Sequence, residues 1–187
     1  MLASKGFSTE DRLSAASGGN NTYTYTHADV DYKIHKFTAL GDFTVNLPIP
    51  FDILVVAGGG SGGGTGARGA GGAGGLRWFT DQHLVSGVYT CTIGAGGGEP
   101  PSSDTEGIDG ANSSFVKSGT ISISATGGGS GGGSGANPAQ NGNSGGSGGG
   151  ANFGGSAGTG NAGSYTPVEG YNGGTGSTSA NYGGGGG

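Results

Sequence analysis

Between Tyr23 and Ala57 apolar and polar residues alternate in short runs, YTYT, YKIHKFTA, DFTVNL and FDILVVA, rich in Tyr, Phe, Val, Ile and Thr. A period of two predicts β-strands, because successive side chains of an extended chain point to opposite faces. Turn-forming residues such as Gly41-Asp42, Pro48 and Pro50 separate the runs. The same pattern resumes in LRWFT (76–80), GVYTCTI (87–93), NSSFVK (112–117) and TISISA (120–125), with Ser118-Gly119 as a hairpin turn. Upstream, STEDRLSAA (8–16) predicts one short helix, capped by Ser8 with Asp11 three residues on, and ended by Gly18-Gly19. Too short to stand alone, it suits an N-terminal attachment arm over residues 1–22, with Phe7 and Leu13 as its candidate contact residues.

A second pattern interrupts the strands. GGGSGGGTGA (58–67) returns as GGGSGGGSGA (127–136), and each copy directly follows a strand. The tail continues with GGSGGGANFGGSAGTGNAG and closes on GGGGG. Three parts follow: the arm, a β-rich part over 23–126 with a glycine tract inserted at 58–75, and a glycine-rich region over 127–187. Of the 187 residues 51 are glycine, while Leu, Ile, Val and Phe make up about 16%, too few for an ordinary core. Beyond residue 126 only Phe153 and Val168 belong to that apolar set. That tail is also nearly uncharged, since no cation follows Lys117 and Glu169 is the only acid after Asp109.

Gly58 to Gly63 formally satisfies G-x-G-x-x-G, but a dinucleotide site needs that turn to open a helix whose N-terminus holds the pyrophosphate. Here it opens into more glycine, which costs about 1 kcal/mol per residue in a helix, and no G-K-[ST] of a phosphate loop occurs. A flexible linker is the other plain reading of Gly/Ser sequence. Against it, the tracts lie between strands, repeat, and are interrupted almost solely by Ala, Ser, Thr or Asn. Small interruptions fit polyproline-II-type rods, which have three residues per turn and no internal hydrogen bonds, so that N–H and C=O groups can pair with parallel neighbours. Glycine would then replace the side-chain core. Residues 58–75 would span about 55 Å as one rod at ~3.1 Å per residue, or form two shorter rods joined near Ala67-Arg68. Collagen is excluded, because the six prolines lie outside the glycine runs. The fold class expected is mainly β with a polyglycine-II helix bundle and little or no α-helix.

The side-chain chemistry is sparse. The single cysteine, Cys91, sits in an apolar strand and reads as a core thiol. His27, His35 and His83 are dispersed, with His35 expected at the surface, and Trp78 is expected to pack against the sheet. No Ser/His/Asp order or carboxylate pair stands out, so a non-enzymatic protein without cofactor or metal is expected. Seven basic residues against twelve acids, a net charge of -5, disfavour a nucleic-acid surface. The N-terminus lacks the apolar run of a signal peptide, and no stretch approaches the ~18 apolar residues of a membrane span.

DYKIHKFTALGDFTVN, DILVVAGGGSGGG, GAGGAGGLRW, YTCTIGAGGG, NSSF and ISATGGGSGGG together resemble the glycine-rich domain of tail-fibre and adhesin proteins of tailed bacteriophages, over roughly residues 30–187. The resemblance implies a sandwich of packed polyglycine-II helices whose end loops contact a host receptor. It further implies a virion protein assembled in the host cytoplasm, held to a tail or head scaffold through residues 1–22 and touching a host surface glycan or outer-membrane protein, with a trimer possible. Without the long shaft of its relatives, it is expected to stand alone as a small virion component. Recognition would fall to the loops at 99–110, 136–143 and 164–172. Tyr165, Glu169, Tyr171, Asn137 and Asn141 are the candidate receptor contacts; the acids of the 99–110 loop could instead hold Ca²⁺, although they lack EF-hand spacing. Two rival functions are a non-receptor head or tail decoration and, less in keeping with the irregular Ser/Thr positions, an ice-binding polyglycine protein.

Overall fold

The computed structural model describes residues 9–64, 68–102, 104–135, 140–178, 184 and 186–187. In chain order these form helix α1 (Thr9–Ser14) and strands β1 (Ala16–Gly18), β2 (Asn21–His27), β3 (Val30–Lys36), β4 (Gly41–Val45), β5 (Pro50–Val56), β6 (Leu76–His83), β7 (Gly87–Thr92), β8 (Ser113–Lys117) and β9 (Ile121–Ala125). Every strand expected from the alternation is present, and the class is mainly β. The helix caps expected at Ser8, and the arm residue Phe7, lie outside the described residues.

Two compact units emerge, and both are discontinuous in sequence. Unit 1 gathers the described residues up to Val55 with Trp78–Ile93 and Ser114–Ile123; unit 2 gathers Val56–Arg77, Gly94–Ser113 and Ser124–Gly187. The division therefore departs from the three-part scheme read off the sequence: the tract at 58–75 belongs with the tail, and residues 9–22 belong with the strands. The reason is pairing. β1 is hydrogen-bonded to β4, Ala16 opposite Val45 and Gly18 opposite Phe43, so the supposed arm is an edge of the main sheet. Gly18 has a φ of 109°, and a Cβ there would collide with the carbonyl of Asp42, so the strand can close on β4 only with glycine at that position.

Unit 1 is built on side chains. Its five-stranded sheet runs β1-β4-β7-β8-β9, antiparallel in the β1/β4, β4/β7 and β7/β8 pairs; β2/β3 and β5/β6 form two further two-stranded sheets. Alternation turns Phe43, Val45, Tyr89, Cys91, Phe115 and Ile123 inward. Phe43 packs edge-on against Phe51 at 5.6 Å and lies 6.0 Å from Phe115, which stacks on Tyr89 at 5.0 Å. Burying one such ring contributes roughly 1.5–3 kcal/mol. Tyr89 keeps its polar end satisfied by donating its hydroxyl hydrogen to the carbonyl of Val85 at 2.8 Å. Cys91 is buried as expected, and burial, aided by the Asp42 charge, pushes its thiol up to about 12. Trp78, expected on the sheet, is instead 60% exposed, because it shares the outward register of β6 with Leu76 and Thr80.

Unit 2 is built on backbone. Five segments, g1 (57–64), g2 (69–75), g3 (105–111), g4 (126–133) and g5 (145–151), exchange N–H···O=C bonds at every third residue. Ala57, Gly60 and Gly63 donate to Gly75, Gly72 and Gly69 of g2, while Gly58, Ser61 and Gly64 donate to Ala111, Ile108 and Thr105 of g3. Gly69, Gly72 and Gly75 of g2 in turn donate to Gly132, Gly129 and Thr126 of g4. All nine of these bonds are 2.8–3.1 Å long. A period of three, with adjacent residues bonding to different neighbours, is what a three-residue turn without internal bonds produces. The acceptor index falls as the donor index rises in these three pairs, so they run antiparallel. By contrast g4 runs parallel to g1 through Gly128 to Gly58 and Gly131 to Ser61, and parallel to g5 through Gly129 to Ser147 and Gly132 to Gly150. The sequence suggested parallel neighbours alone; both directions occur, because glycine presents the same bare backbone either way.

The spacing between segments leaves no room for a side chain. A Cβ at Gly131 would meet the carbonyl of Gly69, one at Gly128 that of Gly72, and one at Gly60 that of Gly129. Among the described residues of unit 2 the buried apolar side chains are alanines, Ala57, Ala125 and Ala151. The first tract supplies two segments, g1 and g2, that are hydrogen-bonded to each other.

Candidate functional site

Three of the five expected contact residues, Tyr165, Glu169 and Tyr171, lie on one loop of unit 2, residues 161–172, but with different orientations. Asn161 organises it. Held at a φ of 52°, its side-chain oxygen accepts the N–H groups of Tyr165 at 3.1 Å and Glu169 at 3.4 Å, and its amide donates to the Tyr165 carbonyl at 3.0 Å. Asparagine tolerates this left-handed conformation because its short side chain bonds locally. The Asn161 N–H donates to Gly146 at 2.8 Å, which ties the loop to g5.

Glu169 is 4% exposed. Its Oε2 accepts the N–H of Thr126 at 2.8 Å, its Oε1 accepts that of Gly163 at 3.3 Å, and its own carbonyl accepts from Leu76 at 2.9 Å. A buried carboxylate is tolerated only when hydrogen-bonded, and one bound to backbone amides satisfies donors that have no other acceptor. Its place is thus a correction to the surface role expected of it: Glu169 fastens the loop to the first residue of g4. Tyr165 is half-buried, with the Arg77 guanidinium 3.9 Å from its ring centroid while Arg77 Nη1 donates to the Ser124 carbonyl at 3.0 Å. That stack holds the ring inside the loop.

Tyr171 alone of this trio is presented outward, 74% exposed, although its backbone is anchored at both ends: its N–H donates to Ser147 Oγ at 3.3 Å and its carbonyl accepts from Gly148 at 2.8 Å. Val168, 56% exposed, flanks it in sequence. Asn141 is half-buried and accepts the Ser156 N–H at 2.8 Å, which gives it a turn-closing role. Asn137 lies outside the described residues. Leu13, the other attachment candidate, is half-buried in unit 1, and its carbonyl accepts a 2.8 Å bond from Lys33 Nζ.

In the 99–110 loop the acids are partly committed to structure. Asp109 Oδ1 accepts the Ser130 N–H at 2.7 Å and Asp104 Oδ1 accepts the Ser134 hydroxyl at 2.7 Å. Among the described residues no group of three His, Cys, Asp or Glu is gathered as a metal site would require. No helix of the described residues is long and apolar enough to cross a membrane.

Fold and loop together define a mainly β protein whose second unit is closed by glycine backbone and fastened by single polar side chains. The family model for a glycine-rich domain matches residues 38–187, and the chain belongs to that family. No curated protein and no solved structure matches the chain.

Proposed function

We propose that this is a non-enzymatic structural protein of a tailed-bacteriophage virion, a tail-fibre or tip adhesin component in which a polyglycine-II bundle carries exposed loops toward the host surface. The observation that carries this reading is the backbone-bonded packing of g1 to g5. A fibre needs a stiff body that resists proteolysis, and segments bonded to several neighbours at every third residue supply one without a large apolar core. The resemblance of DILVVAGGGSGGG and its companion motifs to phage adhesin domains supplies the biological setting. Tyr171, exposed on a loop whose backbone is fixed, is the residue of the tail best disposed to touch a receptor, since a rigid aromatic gives contact area at little cost in conformational entropy.

The burial of Glu169 and the inward bonding of Tyr165 and Asn141 favour the second reading, a head or tail decoration without receptor contact. Purified full-length chain added to host cells separates the two. An adhesin slows adsorption of subsequently added virions, and Tyr171→Ala weakens that inhibition; a decoration leaves adsorption unchanged. Absence of the chain from purified particles by mass spectrometry would sink both.

A further inference from the structure

Segments g1 and g2 offer their peptide groups in three directions, as a three-residue turn dictates, and two of the three are taken. In g1, Ala57, Gly60 and Gly63 donate to g2 while Gly58, Ser61 and Gly64 donate to g3; in g2, Gly69, Gly72 and Gly75 donate to g4 while Ala70 and Ala73 donate to Gly184 and Gly187. The third direction belongs to Gly59 and Gly62 of g1 and to Gly71 and Gly74 of g2. Among the described residues their N–H groups reach no acceptor, and the carbonyls of Gly60, Gly63, Gly71 and Gly74 receive no N–H. The unpaired amides share one face of unit 2, since a Cβ at Gly59 would lie 3.9 Å from the Gly74 nitrogen and one at Gly62 4.0 Å from the Gly71 nitrogen. Segment 94–98 borders that face, with Gly97 donating to the Gly59 carbonyl at 2.8 Å.

Water can bond such groups, so open donors by themselves require no partner. Two observations go further. Elsewhere in unit 2, side chains take amides that no segment carbonyl reaches: Asn141, Ser144 and Asn172 accept from Ser156, Thr159 and Gly160, and Asn112, Asp109 and Ser113 accept from Gly127, Ser130 and Gly94, all at 2.7–3.1 Å. Among the described residues the g1/g2 face has no such cap. It is also bare where a side chain would fit. The nearest atom to a Cβ at Gly59 would be 3.5 Å away and at Gly96 3.6 Å, and a Cβ at Gly98 would meet nothing within 4 Å. Alanine there would restrict the unfolded chain and so stabilise the fold, and the chain does place alanine at the exposed positions Ala70, Ala73 and Ala95 of the same segments. Glycine kept at sites with room for a methyl group leaves the peptide groups open to close approach by another backbone.

We propose that the open g1/g2 face is a self-association surface, on which a second copy of this chain seats its own g1 and g2 and pairs its free carbonyls with the amides of Gly59, Gly62, Gly71 and Gly74. The occupant follows from the spacing. Donors and acceptors recur every third residue along both segments, and an acceptor row of that period is offered by another backbone of three residues per turn, not by a strand, whose period is two. A face that holds both donors and acceptors complements itself, which gives closed two-fold pairing. The second copy thereby continues the hydrogen-bond lattice that g1 already shares with g2 and g3. The inference goes beyond the adhesin reading and stands in either an adhesin or a decoration, because it rests on the bundle and not on the loop of Tyr171.

Sedimentation of the full-length chain should show a monomer–dimer equilibrium with a Kd of about 10–100 µM, in keeping with a small interface. Hydrogen exchange resolved by residue should show the Gly59, Gly62, Gly71 and Gly74 amides slowing about tenfold or more as the dimer forms, while the bonded amides of Gly60 and Gly72 stay slow throughout. Gly59→Ala, whose methyl group would lie near the Gly74 amide without striking the bundle, should raise the Kd about tenfold or more, and Gly96→Ala, at the border of the face, about threefold. Protection retained at Gly60 and Gly72 shows that each variant is folded. A chain that stays monomeric up to about 1 mM, or a Kd unchanged in both variants, would overturn the proposal. Slow exchange of the four amides at every concentration would also overturn it, assigning the face to a segment of the same chain. Tyr171→Ala, the variant of the adhesin test, should leave this Kd unchanged, so the two readings fail separately.

Discussion

Unit 1 and unit 2 solve the same problem with opposite materials. In unit 1 the Phe43, Phe51, Phe115 and Tyr89 rings exclude water and the backbone is paired along strands. In unit 2 the backbone does both jobs: peptide groups of g1 to g5 are each other's hydrogen-bond partners and each other's packing surface. Side-chain cores tolerate substitution because neighbouring side chains can rotate. A backbone core has no such freedom, since the atoms around Gly128 or Gly131 are carbonyls already fixed by bonds. Unit 1 should thus be forgiving of small changes in volume, and unit 2 intolerant of a single methyl group.

The comparison is broken most forcefully at Gly131. Gly131→Val should cost about 5 kcal/mol or more, beyond the usual ~1–3 kcal/mol of overpacking, because the Gly69 carbonyl it strikes cannot yield. Hydrogen exchange should show protection lost in g1, g2 and g4; retained protection there would mean that the segments separate readily. Next in size, Phe43→Ala should cost roughly 3–5 kcal/mol as a core truncation, exposing β4 and β7 to exchange. A smaller effect is expected for Glu169→Gln, about 2 kcal/mol, as a charge-assisted acceptor becomes a neutral amide. Faster exchange at the Thr126 and Gly163 amides would register it.

The mildest probe is pH, and it acts on unit 1. Burial, with a contribution from Lys33, holds the His35 imidazole below its ordinary value of 6.5, although the Gly18 carbonyl partly offsets this. The neutral ring is the folded form, so its contribution is complete above 6.5 and is lost as pH falls through 6.5 toward the lower folded value. Thermal unfolding followed through the tyrosines should show a modest decline in that window, absent in His35→Phe.

Legibility divided along the same line as the materials. Strands β2 to β9 were readable because alternation is written into side chains, and Ser118-Gly119 marked the β8/β9 turn. β1 was not, since Ala16–Gly18 is too short for a period to register, and so residues 9–22 resembled a free arm rather than a sheet edge. The small interruptions of the tracts signalled close packing, whereas the directions of the segments did not show, because nearly pure glycine has no faces to compare. Glu169 was misjudged for an instructive reason. A lone acid in an uncharged tail resembles an exposed contact, yet such an acid can equally serve as an acceptor for backbone amides, as Glu169 does for Thr126 and Gly163. The outward place of Trp78 follows from its position in the β6 alternation, which it shares with the exposed Leu76 and Thr80.

The three-residue repeat of bonding in g1 to g5 also bears on how such a chain can evolve. Inserting one or two residues rotates every later peptide group onto a different neighbour, whereas inserting three restores the bonding faces one turn further on. Lengthening or shortening by recombination between glycine codons is therefore quantised: slippage events in steps of nine nucleotides can persist, and the rest are filtered out by the geometry of the bundle.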